Sequence, residues 1–257
     1  MSARNRYPLD ENEERSLVAN LAVSQGILLL AGFAGAIVLT GLASGNWEQT
    51  VFGSEWIRSV VVSLSANPAQ AAVAGAALAL VLLALAWTCE RWALRSPSGR
   101  KAVIATRQGI NGEMPRLPAS AIVVLMVLTG FTEELLFRFV LLGLLLYGFS
   151  LFVPSLLAAI VAVFVSSFVF WIAHVRYRDF WSSALILALA VLLNVAYLAT
   201  GSLLLVVIAH AGYDLVTLFA ERRKMVREPD YFHGKIPNRI ILDATEQTQN
   251  REDSDGS

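Results

Sequence analysis

Long blocks of apolar residues recur along this chain, and they constrain its fold more than any other feature. A helix needs about 20 consecutive apolar residues to cross the hydrocarbon core of a bilayer. Because lipid offers the backbone no hydrogen-bond partners, each block that crosses it is predicted to be helical. The predicted fold class is therefore all-α, a polytopic transmembrane helical bundle of about six spans. The blocks cover residues 17–43, 69–89, 119–148, 153–175, 181–200 and 202–220.

The composition agrees with a membrane protein and excludes other classes. Hydrophobic residues make up 56% of the chain and charged residues 16%, whereas soluble domains have about 45–50% and about 25%. The formal net charge is zero, so nothing indicates a nucleic-acid partner. The single cysteine, Cys89, excludes an intrachain disulfide. The first apolar block is too long for a signal peptide and lacks a clear cleavage site, so it is predicted to remain as a span.

Basic residues alternate between the loops and predict the topology. Arginine and lysine concentrate in cytoplasmic loops of membrane proteins. Here they cluster in the N-terminal segment, in every second loop and at the start of the tail, whereas the intervening loops carry only Arg58. Both termini are therefore predicted to be cytoplasmic. The clustered residues are Arg4, Arg6, Arg15, Arg91, Arg95, Arg100, Lys101, Arg107, Arg116, Arg176, Arg178, Arg222, Arg223, Lys224 and Arg227.

The chain is predicted to form one membrane domain, at 17–220, with no internal repeat and no second soluble domain. A polar cytoplasmic segment precedes it at 1–16. The tail at 221–257 is charged and polar, and is predicted to be cytoplasmic and largely disordered. Residues 51–64 are partly apolar and are predicted to form an interfacial helix.

The block at 119–148 is longer than one span requires. Gly130 and Thr132 interrupt its apolar run. Because a threonine hydroxyl can accept a hydrogen bond from an unpaired amide at a helix start, Thr132 is a candidate N-cap. We therefore predict a helix break near 130–132, with a second helix that runs to about residue 148.

Six ionisable side chains lie inside the last four apolar blocks. Each costs about 2.5–3.5 kcal/mol at the centre of a bilayer, whereas a polar pair that only joins two helices contributes about 0.6 kcal/mol. Function is therefore the better explanation for them. These residues are Glu133, Glu134, Arg138, His174, His210 and Asp214.

The spacing of the first three distinguishes their roles. Glu134 and Arg138 are four residues apart, so on a helix they share a face and can form an ion pair. Glu133 lies five residues before Arg138 and points elsewhere. A carboxylate that is removed from water and has no cationic partner is suited to accept a proton from water near neutral pH.

Two further pairs, on the fourth and last spans, have the same spacing of four residues. Phe170 would pack beside the His174 imidazole and limit its rotamers. Asp214 would fix the tautomer of His210 and stabilise its cation. If these helices converge, Glu133 and the two histidines meet in one water-filled pocket.

The three motifs EELLFR, FWIAH and HAGYD resemble those of the CPBP family of intramembrane proteases. That family includes the CAAX prenyl endopeptidase and abortive-infection proteins, and its pattern is EExxxR, FxxxH and HxxxN on successive helices. The order and spacing match, and the resemblance covers about 119–220, which we take as the catalytic core.

The resemblance implies a role for each residue. Glu133 resembles the glutamate that activates water, with His174 assisting. Glu134 and Arg138 resemble a structural pair, and His210 with the last residue of its motif resembles the group that stabilises the oxyanion.

The last motif departs from the family, because Asp214 stands where other members have asparagine. An ionised carboxylate cannot donate a hydrogen bond to an oxyanion. Either Asp214 is protonated, or it holds His210 as the donor, and we favour the second.

A zinc ion is the alternative to a metal-free mechanism, because one glutamate and two histidines can form a catalytic zinc set. The candidate ligands are Glu133, His174 and His210. They lie on three different helices and the chain contains no HExxH motif, so we expect no cofactor.

The predicted function is an intramembrane endopeptidase of the bacterial plasma membrane, with membrane lipid and a peptide or protein substrate as partners. A proton-coupled transporter or channel is one alternative, since intramembrane glutamate, histidine and aspartate also build proton relays. Against it, the chain shows no inverted repeat. A non-catalytic membrane scaffold or immunity protein of the same fold is the other alternative.

Overall fold

A computed structural model describes residues 9–108, 113–174 and 179–227. This part of the chain is helical and contains no strand. A single turn of 3₁₀ helix, Met114–Arg116, precedes α6. We number the helices α1 Glu11–Ser44, α2 Trp47–Val51, α3 Glu55–Ser65, α4 Pro68–Ala93, α5 Pro97–Gln108, α6 Ala119–Ser150, α7 Ser155–Ala173, α8 Phe180–Thr200 and α9 Leu203–Arg227.

Six of these helices are long and apolar enough to cross a membrane, which confirms the predicted polytopic bundle. They are α1, α4, α6, α7, α8 and α9. The first begins at Glu11 because Asp10 caps it, accepting hydrogen bonds from the amides of Asn12 and Glu13 at 2.9 and 2.8 Å. The last continues to Arg227, seven residues into the predicted tail. Residues 228–257 lie outside the described part, as do Arg4, Arg6, Arg176 and Arg178.

The predicted helix break near 130–132 is wrong. Helix α6 is continuous, and it changes from α-helical to π-helical hydrogen bonding over Leu135–Leu142. Thr132 is buried inside the helix, where its hydroxyl donates to the Gln25 side chain and lies 3.2 Å from the carbonyl oxygen of Thr129, so it caps nothing. A π-helical segment inside an α-helix often marks a functional site.

Gly130 has a packing role that explains its presence in α6. A Cβ atom at this position would lie 3.0 Å from the Cβ of Ala211 on α9. The glycine therefore lets α6 and α9 approach closely, as small residues do between membrane helices. Gly75 of α4 also lies against α9, since a Cβ atom there would lie 2.7 Å from the carbonyl oxygen of Leu205. These contacts hold α9 between α4 and α6.

Two shorter helices lie between the spans. Helix α3 covers most of the segment 51–64, which was predicted to form an interfacial helix, and its placement at the interface stays a prediction. The Ser63 hydroxyl donates to the carbonyl of Gly201 at 2.7 Å and accepts from the amide of Leu203 at 3.1 Å, which fastens α3 to the turn between α8 and α9. Helix α5, in the basic loop after α4, was not predicted.

Candidate active site

The ion pair predicted within α6 is present and is fully buried. The Arg138 Nη1 atom lies 3.1 Å from Glu134 Oε1, and neither side chain is exposed. The Arg138 guanidinium also lies over the ring of Phe170 on α7, with 4.5 Å between its Cζ atom and the ring centroid. Each charge thus has an opposite or aromatic neighbour, although the Arg138 nitrogens and Glu134 Oε2 have no hydrogen-bond partner within the described residues.

Glu134 has a second partner, which sequence spacing did not reveal. His210 Nδ1 on α9 lies 2.6 Å from the same oxygen, Glu134 Oε1. Since a carboxylate accepts hydrogen bonds, Nδ1 carries a proton. Glu134 therefore links Arg138 in its own helix to His210 in another. No spacing rule predicts a contact between helices, so only the fold brings these two residues together.

Asp214 lies near the other nitrogen of the His210 ring. The His210 Nε2 atom is 3.5 Å from Asp214 Oδ2, a longer contact than the one to Glu134. The carboxylate closest to the ring is thus Glu134, whereas the sequence had led us to expect Asp214. Asp214 is placed instead to balance charge at Nε2.

His174 ends helix α7 at its C-cap position. Its Nδ1 atom is 2.8 Å from the carbonyl oxygen of Phe170, so Nδ1 is the donor and Nε2 is the free nitrogen of the neutral ring. The His174 and Phe170 rings are in contact, with centroids 4.3 Å apart and planes tilted by 32°. The predicted contact between Phe170 and His174 is therefore present, and the His174 side chain stays 30% exposed.

Glu133 and the two histidines converge. Glu133 Oε2 lies 3.8 Å from His174 Nε2 and 4.0 Å from His210 Nε2. These distances are too long for direct hydrogen bonds. Within the described residues this buried oxygen has no hydrogen-bond partner, whereas nearly all buried polar atoms in proteins have one.

Phe170 forms the aromatic wall of this site. Its ring lies 4.9 Å from the ring of Phe137, which belongs to the π-helical segment, and 6.4 Å from the imidazole of His210. The Ser166 hydroxyl, one turn earlier on α7, donates to the carbonyl of Phe137 at 3.3 Å. Helix α7 is thereby attached to the π-helical segment next to the two glutamates.

The arrangement of the histidines bears on the zinc alternative. Each Nδ1 is held by an oxygen, and each Nε2 faces Glu133. Hydrogen bonds from Nδ1 to an oxygen are found in histidines that bind zinc through Nε2, but they also orient catalytic histidines that bind no metal. Within the described residues, no group of three or more His, Cys, Asp or Glu side chains is placed to hold a metal ion.

Comparison with known proteins agrees with the geometry. Residues 115–216 match the family described as Type II CAAX prenyl endopeptidase Rce1-like. The match over this segment supports a CPBP-family protease. The segment contains all three motifs, whereas α1 to α5 lie before it. No curated protein and no solved structure matches the chain. The family match supports a membrane protease, and six helices in the described part are long and apolar enough to cross a membrane, which together support an integral membrane protein.

Proposed function

We propose that this CPBP-family protein is an intramembrane endopeptidase in which Glu133 and His174 activate the water that hydrolyses a peptide bond. One observation carries the proposal. Glu133 Oε2 is buried, has no hydrogen-bond partner in the described part of the chain, and faces two imidazole nitrogens at 3.8 and 4.0 Å. Other buried atoms on Glu134 and Arg138 also lack hydrogen-bond partners, so the position of Glu133 between the two imidazoles is what favours it as a general base.

The first step is attack by water on the carbonyl carbon of the peptide bond. Glu133 accepts a proton from the water, while His174 Nε2 accepts its second hydrogen bond and fixes its orientation. The bond from water oxygen to carbon forms as the carbonyl π bond opens to an oxyanion. The proton held by Glu133 then passes to the amide nitrogen, which leaves as an amine when the C–N bond breaks.

The oxyanion requires a hydrogen-bond donor, and we assign this role to His210 Nε2. Because Nδ1–H is already donated to Glu134, Nε2 can donate only when the ring is an imidazolium. Asp214, 3.5 Å from Nε2, balances that positive charge. Aspartate in place of the family's asparagine is then consistent with the mechanism, because it acts through His210.

Replacing Asp214 with asparagine is expected to lower kcat by about tenfold, less than the roughly 10²–10³-fold cost of removing an oxyanion donor outright. The amide keeps the shape of the side chain but cannot balance the imidazolium charge. Initial rates of peptide cleavage at saturating substrate measure the effect. His210→Ala is the matched variant, and it should lose more activity than Asp214→Asn. Unchanged or higher activity in the asparagine variant would show that the carboxylate is not required.

Metal chelation is expected to leave cleavage unchanged, because in the proposed mechanism the base and the donors are side chains. The purified protein is assayed before and after treatment with EDTA and with phenanthroline, and its zinc content is measured. The mechanism is contradicted if activity is lost and then returns in proportion to bound Zn²⁺, in which case Glu133, His174 and His210 are the ligands to examine.

The function itself is tested in cells. Membrane proteins from cells that carry the wild-type chain are compared with those from cells that carry Glu133→Ala, by mass spectrometry of new N-termini. We expect new termini with the wild-type chain alone, and intact precursors in the variant. If the profiles are identical while the purified protein conducts protons in liposomes, the proton-coupled transporter is the better explanation.

The substrate class is tested with two peptides that share one sequence. One carries a farnesyl group on the cysteine of a C-terminal CAAX sequence, and the other is not lipidated. The comparison decides whether this chain uses the lipid of a prenylated substrate.

His174 follows the last turn of α7, on the side that the basic residues predict to be cytoplasmic. We therefore propose that the site opens toward the cytoplasm.

A further inference from the structure

Helix α1 makes a buried polar contact next to the proposed catalytic glutamate. The Thr132 hydroxyl donates to the side-chain oxygen of Gln25, and Thr132 immediately precedes Glu133. Gln25 is only 6% exposed and Thr132 is fully buried. A glutamine at this depth is costly in an apolar span unless it is paired. Helix α1 lies outside residues 115–216, so the matched domain does not include this contact.

The contact belongs to a longer close interface between α1 and the centre of α6. A Cβ atom on Gly32 would lie 2.9 Å from the Leu135 side chain, and one on Gly35 would overlap Val140. One turn further along, Gly143 of α6 leaves space for Leu39 of α1, since a Cβ there would lie 2.7 Å from Leu39 Cδ2. The two helices therefore run parallel, with small residues on both sides.

This interface brackets the glutamates. Gln25 contacts α6 one residue before Glu133, and the glycines contact it from Leu135 onward, in the π-helical segment. The glycine contacts are apolar and limit the distance between the helices. The hydrogen bond is directional, so it limits how far α6 can rotate about its axis or slide along it. A rotation of α6 would move Glu133 Oε2 relative to the nitrogens of the two histidines.

We propose that Gln25 is a positioning residue, which acts through Thr132 to hold Glu133 at its distance from His174, with which it activates water, and from the oxyanion donor His210. The inference rests on the proposed function. It assigns part of the catalytic geometry to a helix that precedes the protease domain. Displacement of a catalytic group by about 1 Å can cost about 10²-fold in rate, so one directional contact can matter for catalysis while contributing little to folding.

The test compares Gln25→Leu and Thr132→Val with the wild-type chain, using whichever of the two CAAX peptides is cleaved faster. Both variants remove the same hydrogen bond at nearly constant volume. We expect kcat to fall about 10- to 100-fold, with KM within about twofold because no substrate contact is lost. The double variant should be no worse than either single one, because both act through one bond. Thr132→Ser, which keeps the hydroxyl, should retain near-wild-type kcat.

Asn194→Leu provides the matched control. Asn194 is equally buried, and its amide donates to Ser167 at 3.0 Å between α7 and α8, so this change also removes an amide contact between helices. It should lower activity only in proportion to any loss of folded protein. If Gln25→Leu does the same, or if Thr132→Ser is as slow as Thr132→Val, Gln25 is structural and the inference is overturned.

Hydrogen–deuterium exchange gives a second reading that needs no substrate. In Gln25→Leu, the amides of residues 130–136 should exchange faster than in the wild type, while those of residues 186–194 should not change. Equal exchange at 130–136 in both proteins overturns the inference whether or not a cleavable peptide is found. If the wild type cleaves nothing and its cellular profile matches that of Glu133→Ala, the proposed function fails, a result distinct from the failure of Gln25 to affect kcat.

Discussion

Replacement of Glu133 by alanine or by glutamine is expected to lower kcat by about 10²–10⁴-fold, the usual contribution of a general base. Glutamine is the sharper change, because it keeps the size and hydrogen-bonding reach of the side chain and removes only the ability to accept a proton. Because Glu133 Oε2 has no hydrogen-bond partner among the described residues, its loss leaves no buried partner unsatisfied. The variants should therefore insert and fold like the wild type.

Initial rates in proteoliposomes measure the first half of this expectation, and thermal unfolding of the solubilised protein measures the second. Glu48→Gln, at an exposed position on α2, is the matched control and should not change either quantity. If Glu133→Gln cleaves the peptide within about threefold of the wild-type rate, Glu133 is not the base, since a general base contributes at least about 10²-fold. If the variant fails to fold, Glu133 has a structural role that its surroundings do not indicate.

Residue spacing predicted the contacts that lie within one helix. Glu134 with Arg138, and Phe170 with His174, are each four residues apart and are in contact. This succeeds because the α-helical repeat places such residues on one face. The two glutamates also have different partners, as expected, since Glu134 pairs with Arg138 and Glu133 faces the histidines.

Contacts between helices could not be predicted from residue spacing. The 2.6 Å contact between Glu134 and His210 depends on how α6 and α9 pack, and that packing depends on Gly130 lying against Ala211. Sequence alone led us to treat the same glycine as a helix breaker, because glycine weakens an isolated helix. In a membrane bundle, the close helix packing that a glycine permits outweighs the loss of helix stability it causes. The six spans were predictable because lipid leaves an apolar segment few other structures.

The second large effect is expected at the buried ion pair. Arg138→Met or Glu134→Leu should each lower the free energy of unfolding by about 3–5 kcal/mol, because either change leaves an opposite charge buried without its partner. Glu134→Leu should be the worse of the two. In Arg138→Met, Glu134 keeps its contact with His210 Nδ1, whereas in Glu134→Leu both Arg138 and His210 lose theirs.

The double variant, Arg138→Met with Glu134→Leu, separates charge from shape. It removes both charges together, so its cost should fall to about 1–3 kcal/mol, that of the unsatisfied His210 nitrogen, and should be smaller than either single change. Activity should follow a different order. Folded Arg138→Met should retain measurable cleavage because Glu134 still orients His210, whereas Glu134→Leu and the double variant should not.

Unfolding in mixed micelles, followed by circular dichroism, measures these stabilities. The chain supplies a matched control in Glu11 and Arg15, which have the same spacing of four residues and lie 3.8 Å apart on the exposed start of α1. Arg15→Met should cause no measurable change, since exposed pairs contribute little. If the double variant is instead less stable than both single variants, the pair stabilises the fold beyond the cost of an unpaired charge. If Arg138→Met is as inactive as Glu134→Leu while equally well folded, Arg138 has a part in catalysis that its contact with Glu134 does not explain.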